Sequence, residues 1–254
     1  MRPTVLIRRP GPRLVDGLVT HIERMPVDPA LALRQWEGYG AALESAGWDL
    51  VEVPPADDCP DAVFVEDTVV MYRNVGVIAR PGADERKPEI LDTEKVLESL
   101  GCSMNRIHAP GTLDGGDVLK VGDTVYVGRG GRTNAEGAAQ IRAILEPLGA
   151  TVITVPVQKV LHLKSAVTAL PDGSVIGFLP LVDDTAVFDR FRPVPEESGA
   201  HVVLLGDGKL LMAADAPHSA ELFTQLGYDP VTVDISEFQK LEGCVTCLSV
   251  RLRA

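Results

Sequence analysis

Short runs of valine, leucine and isoleucine recur along the chain in pairs, each pair interrupted by residues that favour turns. Four such pairs run from Val63 to Arg80 through Arg73-Asn74-Val75-Gly76, from Gly116 to Gly128 through Gly122-Asp123, from Lys164 to Phe178 through Pro171-Asp172-Gly173, and from His201 to Ala213 through Gly206-Asp207-Gly208. This pattern predicts β-hairpins. Apolar positions at helical spacing follow at Glu89 to Leu100, Glu136 to Leu148 and Ala216 to Leu226, with a poorly defined helix near Thr185 to Phe191 after the third hairpin. A further strand closes three of these units, at Arg106 to His108, Thr151 to Val155 and Pro230 to Asp234.

A fifth unit is assembled from both ends of the chain. Val245 to Arg253 pairs with Thr4 to Arg8, followed by a helix over Ala30 to Ala46 and a strand over Asp49 to Val53. Equivalent points at Asp67, Asp117, His162, His201 and Cys247 recur every 39 to 50 residues, the spacing of a repeat array. The expectation is an α/β fold of five ββαβ blades closed into a ring by the terminal strands. The competing arrangement, a doubly wound parallel sheet, needs crossover helices between strands, whereas four successive pairs here are joined by short turns. Segments between blades, such as Val53-Pro54-Pro55, Ala109-Pro110-Gly111 and Val155-Pro156, are too short to be linkers, so one domain over residues 1–254 is expected.

At 45% hydrophobic and 24% charged residues, the 254-residue chain has an ordinary globular composition. Its 36 acidic and 24 basic residues give a charge of −12, and no basic stripe interrupts it. No nucleic acid is therefore expected as a partner, and a small cationic one is. Met1 to Pro10 lacks the apolar stretch of a secretion signal, and no run of about 18 apolar residues suggests a membrane span. A cytoplasmic protein is expected, with Cys59, Cys102, Cys244 and Cys247 kept as thiols.

Chemically costly residues gather where the blades begin: Asp61, Glu66 and Asp67, then Asp114 and Asp117, His162, and Cys247. Carboxylates inside apolar sequence need a positive partner, and too few arginines share their motifs, which suits a cationic ligand such as a guanidinium. Capping and salt bridging of hairpin ends is the alternative. Glu66 and Asp67, adjacent in a presumed strand, must face opposite ways. Cys244-Val245-Thr246-Cys247 is a CxxC by spacing, read as a redox pair, as buried structural thiols, or as holding a nucleophile activated by a distant histidine such as His162. No second ligand pair at zinc-finger spacing accompanies it, so no structural metal is expected.

The chain resembles the dimethylarginine dimethylaminohydrolases of the pentein, or guanidino-modifying, superfamily. The resemblance is carried by Leu14-Val15-Asp16-Gly17-Leu18, Pro60 to Asp67, Arg80-Pro81-Gly82-Ala83, Gly111-Thr112-Leu113-Asp114-Gly115-Gly116-Asp117, Arg132-Thr133-Asn134, His162-Leu163-Lys164-Ser165 and Thr246-Cys247-Leu248-Ser249. It implies a five-bladed propeller without cofactor, in which Cys247 is the nucleophile and His162 the general acid and base. It further implies that Asp67 and Asp114 hold the guanidinium with Glu66 close behind. Asp61 and the Leu18 carbonyl receive the α-ammonium, Arg86 and Arg132 grip the α-carboxylate, and Leu241 forms an apolar wall. Asp114 is shorter than the glutamate of some members, which favours a role in orienting His162. Lys164 replaces an acidic residue typical of the related deiminases. Methylated arginine is the implied substrate and a homodimer is compatible with the family. The cysteine and histidine would also accept zinc as an inhibitor. An amidinotransferase and a noncatalytic guanidino-binding protein are the rival functions.

Overall fold

A computed structural model describes residues 2–252; Met1, Arg253 and Ala254 lie outside the described residues, and with them the last position of the expected closing strand. Fifteen strands appear in chain order: β1 (Thr4–Ile7), β2 (Asp49–Glu52), β3 (Val69–Tyr72), β4 (Val75–Ile78), β5 (Ser103–Arg106), β6 (Val118–Val121), β7 (Thr124–Arg129), β8 (Thr151–Pro156), β9 (Val167–Ala169), β10 (Val175–Gly177), β11 (Phe191–Pro193), β12 (Val203–Gly206), β13 (Lys209–Ala213), β14 (Asp229–Val233) and β15 (Val250–Leu252). They form five three-stranded sheets, ordered β15-β1-β2, β3-β4-β5, β6-β7-β8, β9-β10-β11 and β12-β13-β14. Within each, the first two strands are antiparallel and the third runs parallel to the middle one.

The parallel third strand requires a crossover, and four blades supply it with a helix: α1 (Pro29–Ser45), α2 (Ile90–Ser99), α3 (Ala135–Leu145) and α4 (Pro217–Gln225). A one-turn α5 (Ser236–Gln239) follows the fourth of these blades. Their starts are chemically specified: Asp28 Oδ1 accepts the N–H groups of Ala30 and Leu31 ahead of α1, and Asn134 Oδ1 accepts that of Gly137 ahead of α3. The helix expected near Thr185 to Phe191 is absent. Turns and bends make that crossover, and Asp184 there spends its carboxylate on the Ala186 N–H rather than starting a longer helix. Thr4 pairs with Leu252, so the two ends of the chain share one blade as expected.

The expected strands at Val63 and Cys247 begin later. Val65–Thr68 is a one-turn 3-10 helix, residues 245–248 form a turn, and the strands start only at Val69 and Val250. The same tight turn opens every blade. Asp67 N–H donates to Phe64 O, Asp117 to Asp114 O, Ser165 to His162 O, His201 to Ser198 O and Cys247 to Cys244 O, at 3.0 to 3.3 Å. Because an i to i+3 turn satisfies its backbone locally, five segments can meet at the centre without sharing a strand ladder.

Candidate active site

Glycine is what allows the central turns to approach one another. A Cβ on Gly115 would lie 2.0 Å from Glu66 O, and one on Gly116 would lie 2.6 Å from His162 Nδ1 and 2.7 Å from Asp67 Oδ1. The third residue of that motif, Asp117, is fully buried and accepts Thr133 Oγ1 at 2.6 Å and the Leu163 N–H at 3.0 Å, fixing the turn that follows His162. Thr133 and Asn134 thus serve structure, while their neighbour Arg132 turns inward.

One cavity on this side of the ring is lined by Leu18, Asp61, Phe64, Asp67, Arg86, Arg132, Leu161, His162, Leu241, Glu242, Gly243 and Cys247. Eight of the ten residues expected at the site border it: Leu18, Asp61, Asp67, Arg86, Arg132, His162, Leu241 and Cys247. Asp114 stands behind His162, wholly buried, with Oδ2 3.0 Å from Nε2 and Oδ1 accepting the Gly82 N–H at 2.8 Å. The opposite ring nitrogen, Nδ1, lies 3.8 Å from Asp67 Oδ1.

Both faces of the imidazole edge therefore meet carboxylates. Burial alone would strip His162 of its proton, but Asp67, the Asp114 hydrogen bond and Asp117 outweigh it and raise the pKa to about 9. Asp67 is held well below the ordinary carboxylate range: burial opposes its charge, and His162, Arg86 and the Gly116 N–H prevail. Asp61, Glu89 and Asp117 go the other way, pushed up by burial, Asp117 to about 6. Five buried carboxyls (Asp61, Asp67, Glu89, Asp114, Asp117) face three cations (Arg86, Arg132, His162), so the centre is short of positive charge. One ligand atom each of Asp67, Asp114 and His162 lie within 4.8 Å of one another, a spacing a metal would accept. Here, however, the histidine nitrogens are turned onto the carboxylates as an imidazolium's would be.

Two expected residues behave otherwise. Glu66 points to the far side of the centre, where its Oε1 takes Lys164 Nζ at 2.6 Å and Arg251 Nη2 at 2.7 Å, beside a separate cavity of about 400 Å³. The 3-10 turn that aims Asp67 at one cavity necessarily aims its neighbour away, so Glu66 is not a wall of the same site. Lys164 goes with it, and its difference from the deiminases is a mark of kinship rather than a substrate contact. Arg86 borders the site, but its guanidinium is consumed by Glu89, by Asp67 Oδ2 at 2.6 Å and by the carbonyls of Asp61 and Phe64. Its charge is thus already matched by Asp67 and Glu89. Arg132 is less committed: its Nη1 is buried without a hydrogen bond, and its ion-pair partner Asp114 Oδ2 is 3.6 Å away.

Glu89, the counter-ion of Arg86, was not among the expected residues, whereas a pairing of the two C-terminal cysteines was one of three readings of the CxxC. Cys244 Sγ lies 3.3 Å from Cys247 Sγ, and the Cys244 N–H points at Cys247 Sγ from 3.4 Å. The hydrogen bond between the sulfurs lets the pair lose its first proton well below the ordinary thiol range and holds the second well above it. The CxxC spacing was the available signal for this contact.

No protein-family model matches the chain. Whole-chain comparisons do. The chain is 67% identical over 248 residues to the N(G),N(G)-dimethylarginine dimethylaminohydrolase of Streptomyces coelicolor, covering 98% of this chain and 96% of that one. Identity to the Pseudomonas aeruginosa protein of the same name is 37% over 251 residues, 97% and 98% of the two chains. A cysteine-to-serine variant of the Pseudomonas aeruginosa enzyme complexed with citrulline matches at a TM-score of 0.91 and 36% identity, covering 99% of this chain and all of that one. A dimethylarginine dimethylaminohydrolase adduct with S-methyl-L-thiocitrulline matches at 0.92 and 35% identity, with the same coverage. The N-terminal domain of ArgZ, an arginine dihydrolase, shares the fold at 0.87 with 19% identity. With the sequence motifs gathered at one centre and two-thirds of positions shared with a relative of nearly equal length, the chain belongs to the dimethylarginine dimethylaminohydrolase family.

Proposed function

We propose that this chain, as one domain, is a hydrolase that converts Nω,Nω-dimethyl-L-arginine and its monomethyl analogue to L-citrulline, releasing dimethylamine or methylamine. The observation that carries the assignment of roles is the single cavity bordered by Cys247, His162 and Asp67, with the unpaired Arg132 donor at its edge. Asp67 receives the guanidinium, whose positive charge draws the anion of the thiol pair onto Cys247. The thiolate attacks the central carbon. His162 enters the step protonated and delivers that proton to the departing amine, leaving a neutral imidazole and a Cys-linked thiouronium.

The neutral His162 then takes a proton from water as the oxygen attacks the thiouronium carbon, and collapse expels citrulline and restores the thiolate. The remaining proton leaves on the released amine. Asp114 keeps the ring in register through both halves, while Arg132 takes the α-carboxylate and Asp61 with the Leu18 carbonyl takes the α-ammonium. The place of work is the cytoplasm, whose reducing conditions keep the four cysteines as thiols.

Parallel assays with dimethylarginine, monomethylarginine, arginine and agmatine, scoring citrulline or N-carbamoylputrescine, test this. Two buried methyl carbons against Leu241 and Phe64 contribute roughly 0.8 kcal/mol each, so methylated arginine is expected to exceed arginine about tenfold in kcat/KM. Agmatine lacks the carboxylate. With Arg132 Nη1 left without a hydrogen-bond acceptor, it is expected to fall about 10- to 100-fold. Cys247→Ser should bind substrate without turning it over; equal rates on arginine and dimethylarginine, or an active serine variant, would overturn the assignment.

A further inference from the structure

Cys244 borders a second cavity of about 470 Å³, together with Val245, His201 and Lys159, while Cys247 borders the catalytic one. Leu161, Glu242 and Gly243 line both, so only this thin wall separates them. The two sulfurs meet through it. Their 3.3 Å separation compares with roughly 2.0 Å in a disulfide, and the Cys247 N–H to Cys244 O bond of 3.0 Å already folds the CxxC into a tight turn. Cys59 is buried elsewhere and Cys102 is half-buried, and neither contacts this pair.

We propose that Cys244 is a resolving cysteine, and that Cys244 and Cys247 form a reversible disulfide when the enzyme meets a peroxide. The proposal rests on Cys247 being the nucleophile. In the first step the Cys247 thiolate displaces hydroxide from the peroxide O–O bond and becomes a sulfenic acid. In the second, Cys244 sulfur attacks the Cys247 sulfur and expels its oxygen as water. Two thiols and one hydrogen peroxide thus give one disulfide and two waters, and two equivalents of an external thiol reverse the change. The nucleophile is silenced but spared the irreversible sulfinic and sulfonic stages.

The test treats the native protein with hydrogen peroxide in the presence of dimedone, alkylates the remaining thiols and maps the peptides by mass spectrometry. The expected result is a Cys244 to Cys247 cross-link, two hydrogens lighter than the reduced peptide, with Cys59 and Cys102 alkylated. Dithiothreitol should return the treated enzyme to its untreated rate. In Cys244→Ala and Cys244→Ser, each scored against its own untreated rate, Cys247 should carry dimedone or sulfinate, and prolonged exposure should give a loss that dithiothreitol does not reverse. A dimedone or sulfinate adduct on native Cys247 beside an alkylated Cys244 overturns the proposal. Turnover by untreated Cys247→Ser would instead overturn the nucleophile, while the mass map alone still decides the cross-link.

Discussion

His162 carries its charge because Asp67 and Asp114 hold it, one at each ring nitrogen, so the ring's protonation state is set by the carboxylates around it. The proposed first half-reaction consumes the charged form. The rate kcat/KM is therefore expected to hold through neutral pH and to fall as pH rises through about 9. Replacing Asp114 with asparagine removes one of the two raising influences at Nε2 and should move that alkaline fall toward neutrality. A fall unmoved in Asp114→Asn counts against the positioning role. The two arginines separate in the same way. Arg132→Ala should raise KM for arginine substrates about 10- to 100-fold while leaving agmatine nearly unchanged. Arg86→Met leaves Asp67 and Glu89 buried without their cation, at a cost of roughly 3 to 5 kcal/mol, and should appear first as a lowered melting temperature.

The 3-10 turns at the blade starts explain both what the sequence revealed and what it concealed. Helices and outer strands were legible because their apolar periods are long and their caps, such as Asp28 and Asn134, are written in the chain; α1 to α4 lie within a few residues of expectation. The central turns were not, since Val63 to Val70 is apolar enough to read as strand, and only crowding by four other segments makes it curl. Hence Asp67 borders the central cavity, while Glu66, expected to face the opposite way but close behind the ligand, lies on the far side of the centre. The pairing of Arg86 was legible only in part: Glu89 stands three residues on in the same short helix, whereas Asp67 comes from another element, and pairing across elements leaves no periodic trace. The same crowding predicts the outcome of one methyl group. Gly116→Ala must displace His162 or Asp67 from contacts of 2.6 and 2.7 Å, so activity should fall at least as far as in His162→Ala, by about 100-fold or more, while circular dichroism stays near native. Full activity in Gly116→Ala would mean that the turn relaxes freely.

Across the whole molecule, function depends on five segments that are distant in sequence and meet only when the ring is formed. Four blades are each built from contiguous chain, whereas the fifth joins Thr4 to Leu252. During synthesis the four contiguous blades can fold as they leave the ribosome, but β1 and α1 must wait, edge unpaired, for the last residues to arrive. Cys247, the proposed nucleophile, travels with that late segment. It is docked by Tyr39, whose hydroxyl donates to Val245 O at 2.8 Å and meets Ser249 Oγ at 2.7 Å, and by the Glu66 N–H on Cys247 O at 3.1 Å. A nascent chain arrested before Val250 should hold native-like middle blades, resistant to protease, and show no turnover until β15 is released. The clasp of the ring is thus also a timer: the Cys247 thiol reaches the acids and the histidine only after the four contiguous blades are already in place.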